Sequence, residues 1–214
     1  MIEYTKTYMI HLFEKGTSNQ TLILLHGNGG DEHDLLSVAH MIDRSANILS
    51  IRGPILEYGM PRFYKRKSYH DLDTYSLIEQ THELRDFIDE AIRIYHLDYK
   101  KITIIGYSDG ANIAVSILFH YECTCSKAIL FHPMVPLRHI EMAKHNNLKV
   151  FIGAGRFDHM MPEHEVHELT QLLESIHADV EVFWTDYGHQ LSKEEIIAAK
   201  VWYEEKEGNY DDDI

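Results

Sequence analysis

The chain has 214 residues, 44% of them hydrophobic, enough for one substantial core and a single domain of α/β size. Its formal net charge of -14 argues against nucleic acid or anionic membrane as a partner, since both would repel such a surface, and leaves a small neutral or cationic molecule easier to accept. No stretch has the apolar length to span a bilayer, and the start, MIEYTKTYMIHLFEKG, lacks the basic residues and apolar run of a signal peptide, so a cytoplasmic protein without membrane insertion is expected.

In chain order, YMIHLF reads as an edge strand, and TLILLH (21–26), NILSI (47–51), KITIIGY (101–107), KAILFH (127–132), LKVFIGAG (148–155) and VEVFWT (180–185) read as further strands. Most are unbroken apolar runs, the pattern of strands buried on both faces. Between them, LIEQTHELRDFIDEAIRIYHL carries Leu77, Leu84, Phe87, Ile88, Ala91, Ile92 and Tyr95 at helical spacing. GANIAVSILFHY, EHEVHELTQLLESI and SKEEIIAAKVWYEE show similar stripes, the last opening on a Ser192/Glu195 capping-box pattern. This alternation predicts an α/β fold with a mainly parallel central sheet and helices on both faces.

With no internal repeat and no linker, residues 1–207 are read as one domain, followed by an acidic tail at 208–214 expected to be mobile. Residues 52–74 are read as one long irregular loop, a feature that in a compact domain is often functional. Cys123 and Cys125 stand too close for an unstrained bridge and read as reduced thiols.

Gly106-Tyr107-Ser108-Asp109-Gly110 follows a strand and opens a helix, the context that the nucleophile elbow G-x-S-x-G requires. An ordinary strand-to-helix turn with a serine cap would look the same in isolation. A serine hydroxyl needs a base to remove its proton and a carboxylate to orient that base. In chain order after Ser108, Asp158 follows the strand LKVFIGAG and His189 follows VEVFWT. Asp186 is an alternative acid, but three residues from His189 it is poorly placed to reach the far side of the imidazole.

His26-Gly27-Asn28-Gly29-Gly30 directly follows TLILLH, so the backbone N–H groups of Asn28 and Asp109 are the candidate oxyanion donors. Phosphate binding is the weaker reading of that loop, which has neither the G-K-[ST] ending nor the G-x-G-x-x-G spacing. HEVHE, with His159 nearby, has histidines three apart rather than four and reads as a solvated helix face; no metal and no organic cofactor is expected. Arg62, Lys65, Arg66 and Lys67 form a basic island beside Phe63, Tyr64 and Tyr69, read either as an exposed loop or as a rim that orients substrate. Arg62, Phe63, Tyr107, Met160 and Met161 are the candidate substrate-binding residues.

The stretches LLHGNGGDEHDLL, RGPILEYGMPRFYKR, IIGYSDGANIA, LFHPMVP, FIGAGRFDHMMP and YGHQLSKEE, spread over nearly the whole chain, resemble the bacterial carboxylesterases of the phospholipase/carboxylesterase branch of the α/β-hydrolases, close to the hydroquinone-response esterases. The resemblance implies Ser108, Asp158 and His189 as a catalytic triad. It also marks a departure: relatives usually carry an amide after the nucleophile, where this chain has Asp109. A carboxylate facing the oxyanion would oppose it, so the Asp109 side chain is expected to point away. The expected activity is hydrolysis of small or short-chain carboxylic esters by a monomer or homodimer. Thioesterase or lysophospholipase action by the same triad, or a ligand-binding module without turnover, are the alternatives.

Overall fold

Five apolar runs form the interior of a seven-stranded sheet because each is buried on both faces. In the computed structural model, which describes residues 9–68, 71–122 and 124–207, these are β2 (Thr21–Leu25), β3 (Asn47–Ile51), β8 (Ile102–Tyr107), β9 (Lys127–Phe131) and β10 (Lys149–Gly155). β1 (His11–Glu14) and β11 (Asp179–Thr185) are the edges, and the sheet order is β1-β3-β2-β8-β9-β10-β11. All pairings are parallel except that of β1 with β3. Tyr69, Cys123 and the tail predicted at 208–214 lie outside the described residues.

Neighbouring residues of one strand point to opposite faces, and both faces are covered. Ile23, Leu25 and Ile104 join a core formed with α2 (Thr74–Tyr95), α3 (Asp109–His120) and α4 (Glu163–Ser175). Leu22, Leu24 and Ile105 join a second core under α1 (Leu36–Ile42) and α5 (Lys193–Glu207). The helix α2 starts earlier than its apolar stripe, at an Asp73 cap accepting from the Ser76 N–H at 3.1 Å, and ends where His96 turns left-handed at φ 54°. At α5 the predicted capping box is present: Ser192 N donates to Glu195 Oε2 at 2.8 Å and Glu195 N to Ser192 Oγ at 3.2 Å. No sequence pattern announced α1, which has seven residues and no side-chain cap.

The expected irregular loop at 52–74 is a correction. It holds two antiparallel hairpins, β4 (Ile55–Glu57) with β5 (Met60–Arg62), and β6 (Arg66–Ser68) with β7 (Asp71–Leu72). Tyr58 and Gly59, at φ 53° and 79°, form the two-residue turn with both central residues at positive φ that tight hairpins favour. Among the described residues no helix is long and apolar enough to cross a membrane.

The carboxyl ends of β2, β8, β9, β10 and β11 face one edge of the sheet, and β2 and β8 flank the point where the chain reverses its strand order. That crevice depends on α3 lying close to β2, which Gly110 permits: a Cβ there would sit 1.9 Å from the Leu25 carbonyl oxygen. Gly110→Ala is therefore expected to lower stability by about 3 kcal/mol in urea unfolding, the upper range for overpacking. A variant within about 0.5 kcal/mol of wild type, the span of a neutral surface change, would mean that the approach is looser than drawn.

Candidate active site

Ser108 sits between β8 and α3 at φ 52° and ψ -113°, a conformation that side-chain-bearing residues seldom adopt. A Cβ on Gly106 would meet Gly110 O at 2.6 Å and the Ala111 Cα at 2.7 Å, so the turn closes only without a side chain at that position. The result lifts a nearly buried Ser108 out of the end of the central strand. Its Oγ lies 2.9 Å from His189 Nε2, and His189 Nδ1 lies 2.8 Å from Asp158 Oδ2. The alternative acid Asp186 is 83% exposed and faces Arg156 at 3.6 Å.

Asp158 is held by four N–H groups. Met160 N and Met161 N donate to Oδ1 at 2.8 and 3.0 Å, while both His189 Nδ1 and His132 Nδ1, at 2.9 Å, meet Oδ2. Burial alone would raise its pKa, but the bonds from the two histidines outweigh that and keep the carboxyl well below the usual range. His132 was assigned no role from sequence. Its only signal was a histidine followed by proline at the end of the strand KAILFH.

The His26–Gly30 loop is braced by His26, whose Nε2 accepts from Gly53 N at 2.9 Å and whose Nδ1 therefore donates to Gly27 O at 2.6 Å. Burial holds this imidazole below its ordinary pKa, consistent with one N–H and one acceptor nitrogen. Gly29 N donates to Pro61 O at 3.0 Å, tying the loop to the first hairpin. Asp109 is the first residue of α3, so its N–H has no acceptor within the helix.

As expected, the Asp109 side chain turns away from Ser108 chemistry. Its carboxylate is fully buried, accepts from the Tyr64 hydroxyl at 3.1 Å and from Arg66 Nη2, and faces Arg62 Nη1 at 3.5 Å. Tyr64 is further fixed by Asn112 Nδ2 at 3.0 Å. The basic island thus divides: Lys65 and Lys67 are exposed, whereas the side chains of Arg62 and Arg66 are about one-tenth exposed and bind an internal carboxylate.

Ser108 opens into a cleft of about 300 Å³, also lined by Asn28 and Met160. The hairpins contribute Glu57, Tyr58, Arg62, Arg66 and Lys67. Three of the candidate substrate residues lie elsewhere. Phe63 is buried in the core with its ring 4.8 Å from His26, because apolar bulk at the base of the hairpin gains more from the core than from the cleft. Met161 is buried and offers Asp158 its backbone N–H. Tyr107 backs the histidine, its hydroxyl donating to His189 O at 2.8 Å.

His159, His164 and His167 are exposed, and Glu168 pairs with Arg138. His132, Asp158 and His189 bring possible metal-ligand atoms within 4.8 Å of one another, yet both imidazoles already meet one carboxylate oxygen at hydrogen-bond distance. Asp31, Glu32 and His33 form a second such group, where Glu32 is engaged by Arg52. Burial pushes the Cys125 thiol up to about 12, which leaves little reactive thiolate.

A mainly parallel sheet whose central strand ends in G-x-S-x-G, with Asp158 after β10 and His189 after β11, defines an α/β-hydrolase of the carboxylesterase branch. The chain belongs to the dienelactone hydrolase family, whose model matches residues 60–206. It is 49% identical over 197 residues to MhqD of Bacillus subtilis (strain 168), named as a hydrolase, covering 92% of this chain and 98% of that protein. The crystal structure of the Bacillus cereus carboxylesterase matches with a TM-score of 0.90 and 46% identity, over 92% of this chain and 94% of that one. YahD, solved with malic acid, matches at 0.88 and 34% identity, over 92% and 99%. The resemblance read from the motifs is borne out at the level of that branch.

The hairpins are fastened to the elbow through Asp109. Asp109→Ala is expected to cost about 3 kcal/mol, since it takes from the largely buried Arg66 its Asp109 carboxylate and leaves Arg62 to Glu57. Hydrogen exchange should quicken across 55–72 before any other segment. Unchanged protection there would mean that the ion pairs do not hold the hairpins.

Proposed function

We propose that the chain is a serine carboxylesterase acting on small or short-chain esters. The observation that carries this reading is the unbroken line from Ser108 Oγ to His189 Nε2 at 2.9 Å and from His189 Nδ1 to Asp158 Oδ2 at 2.8 Å. His189 Nε2 takes the serine proton as Oγ bonds to the acyl carbon, and Asp158 keeps the imidazole in the tautomer that can do so. The Asn28 and Asp109 N–H groups receive the negative charge of the tetrahedral intermediate, each such donor being worth on the order of a hundredfold or more. The alcohol leaves with the proton held by His189, and water, activated by the same nitrogen, releases the acid from the acyl-serine.

The substrate class rests on the cleft. At about 300 Å³, with Glu57, Arg62, Arg66 and Lys67 among its lining, it has room for a small acyl group rather than a long chain. A buried methylene gains about 0.8 kcal/mol, so carbons beyond the end of the pocket gain nothing. That YahD was solved with malic acid, a small polar acid, agrees with this scale.

Ser108→Ala and His189→Ala are each expected to lower kcat by several orders of magnitude with the fold intact, the losses not adding because the residues act as a unit. A fluorophosphonate should label wild type and not Ser108→Ala; equal turnover by that variant would end the serine-esterase reading. Asp158→Asn should cost far more activity than Asp186→Asn. Across p-nitrophenyl esters of rising acyl length, kcat/KM should peak at short chains. Best turnover of the palmitate ester would refute the shallow cleft.

A further inference from the structure

His132 stands at the end of β9 with no exposed surface, and its backbone is left-handed at φ 52°. A histidine kept in that conformation, directly before Pro133, needs a reason in its surroundings. Its two ring nitrogens face two carboxylates: Nδ1 lies 2.9 Å from Asp158 Oδ2 and Nε2 lies 3.0 Å from Glu195 Oε1. Ionised carboxylates only accept and a neutral imidazole has a single N–H, so a neutral ring would leave one of the two carboxylates facing a nitrogen without a proton, and the Glu195 contact is an ion-pair distance outside hydrogen-bond alignment. Protonating Glu195 instead is disfavoured, because its Oε2 already takes Ser192 N at 2.8 Å and Ser192 Oγ at 2.7 Å. The ionisable groups around His132 are Asp158 after β10, Glu195 on α5, the His189 ring at 5.2 Å and the Tyr107 ring edge at 6.0 Å.

We propose that His132 is a positioning residue held as an imidazolium, which shares the Asp158 oxygen with His189 and thereby orients the base. The inference rests on the triad reading of the preceding subsection. Asp158, Glu195 and His132 together carry one negative charge, and the cation lies next to the His189 ring. Orientation comes from the same contacts. Glu195 holds His132 through Oε1 and caps the segment after His189 through Oε2, so one carboxylate braces both sides of the triad. Burial alone would lower the His132 pKa, but the bonds to Asp158 and Glu195 outweigh it and raise it to about 9.

Histidine-labelled protein followed by NMR tests the charge without any assay of turnover. His132 should remain an imidazolium at pH 7 and lose its proton near pH 9; a neutral ring at pH 7 overturns the proposal. His132→Gln keeps an amide donor toward Asp158 without the charge. In that variant kcat should fall by about tenfold or more with KM nearly unchanged, the effect of a misplaced base. A purely structural His132 would lower Tm and leave kcat of the folded protein in place, which refutes the positioning role. Should that variant fail to fold, His132→Gln/Glu195→Gln, which preserves the net charge of the cluster, is expected to show the same fall in kcat. Absence of ester turnover in wild type would remove the esterase reading, and the His132 titration would still decide the inference. Because the folded pKa lies above an unfolded value of about 6.5, the stability His132 contributes is complete below that pH. It is lost as pH rises through about 9, so wild-type Tm should fall across this window and the variant's should fall less.

Discussion

The left-handed backbone of Ser108 is the constraint from which the rest of the site follows. At φ 52° it is a strained conformation, and it persists only where neighbouring elements leave no alternative. Those neighbours are β8 and α3, whose residues are almost all buried, and which meet through Gly106 and Gly110 with no room for a side chain. The same turn sets the first free N–H of α3 beside the hydroxyl and brings α3 against β2, from which the Asn28 loop departs. The proposed nucleophile and the proposed oxyanion donors therefore share one cause. Histidine and acid come from separate loops, but parallel strands in fixed register bring those loops to the same edge.

Around this turn the protein buries an unusual number of charges, and each is answered by another. Asp158 and Glu195 flank His132, and Asp109 faces Arg62 and Arg66. Buried pairs of this kind contribute little net stability, because desolvation offsets attraction, yet removing one member is costly. Their value lies in geometry: Asp109, Asp158, Glu195 and His132 each face an opposite charge, so the side chains near Ser108 have few alternative arrangements. The cluster also insulates the site from the surface, where the chain's excess of acids is solvated and screened.

Legibility in the sequence followed burial. NILSI at 47–51 is β3 to the residue, and the other interior strands agree within one, because two-sided burial leaves an unbroken apolar run that nothing else imitates. The elbow and the order of serine, aspartate and histidine were readable because strained turns demand glycine at definite offsets. The hairpins at 55–72 were not. Their strands have two or three residues, too short for a period, and what holds them is Asp109, 45 residues beyond Tyr64 in the chain. His132 was hidden for a related reason: a polar residue ending an apolar run looks like the end of a strand, and both of its carboxylates come from later elements. Phe63 and Met161 were placed in the cleft because their residue type suits it, whereas packing on the far side of the backbone took them into the core.

The Asp109 substitution for an amide shows how a charge beside an oxyanion can be tolerated. Its N–H and its carboxylate leave the same Cα in different directions, and the carboxylate is engaged by Tyr64, Arg62 and Arg66. Arg62 also pairs with Glu57 at 2.9 Å. Two carboxylates and two guanidiniums thus sum to no net charge at the base of the hairpins, and the negative charge forming on a substrate meets a balanced background rather than a bare anion. In the proposed mechanism, stabilisation is then left to the Asn28 and Asp109 N–H groups. An amide at position 109 could not neutralise either arginine, so the acidic residue and the basic hairpin are best understood as one unit. That unit couples the covering of the cleft to the turn that carries its nucleophile.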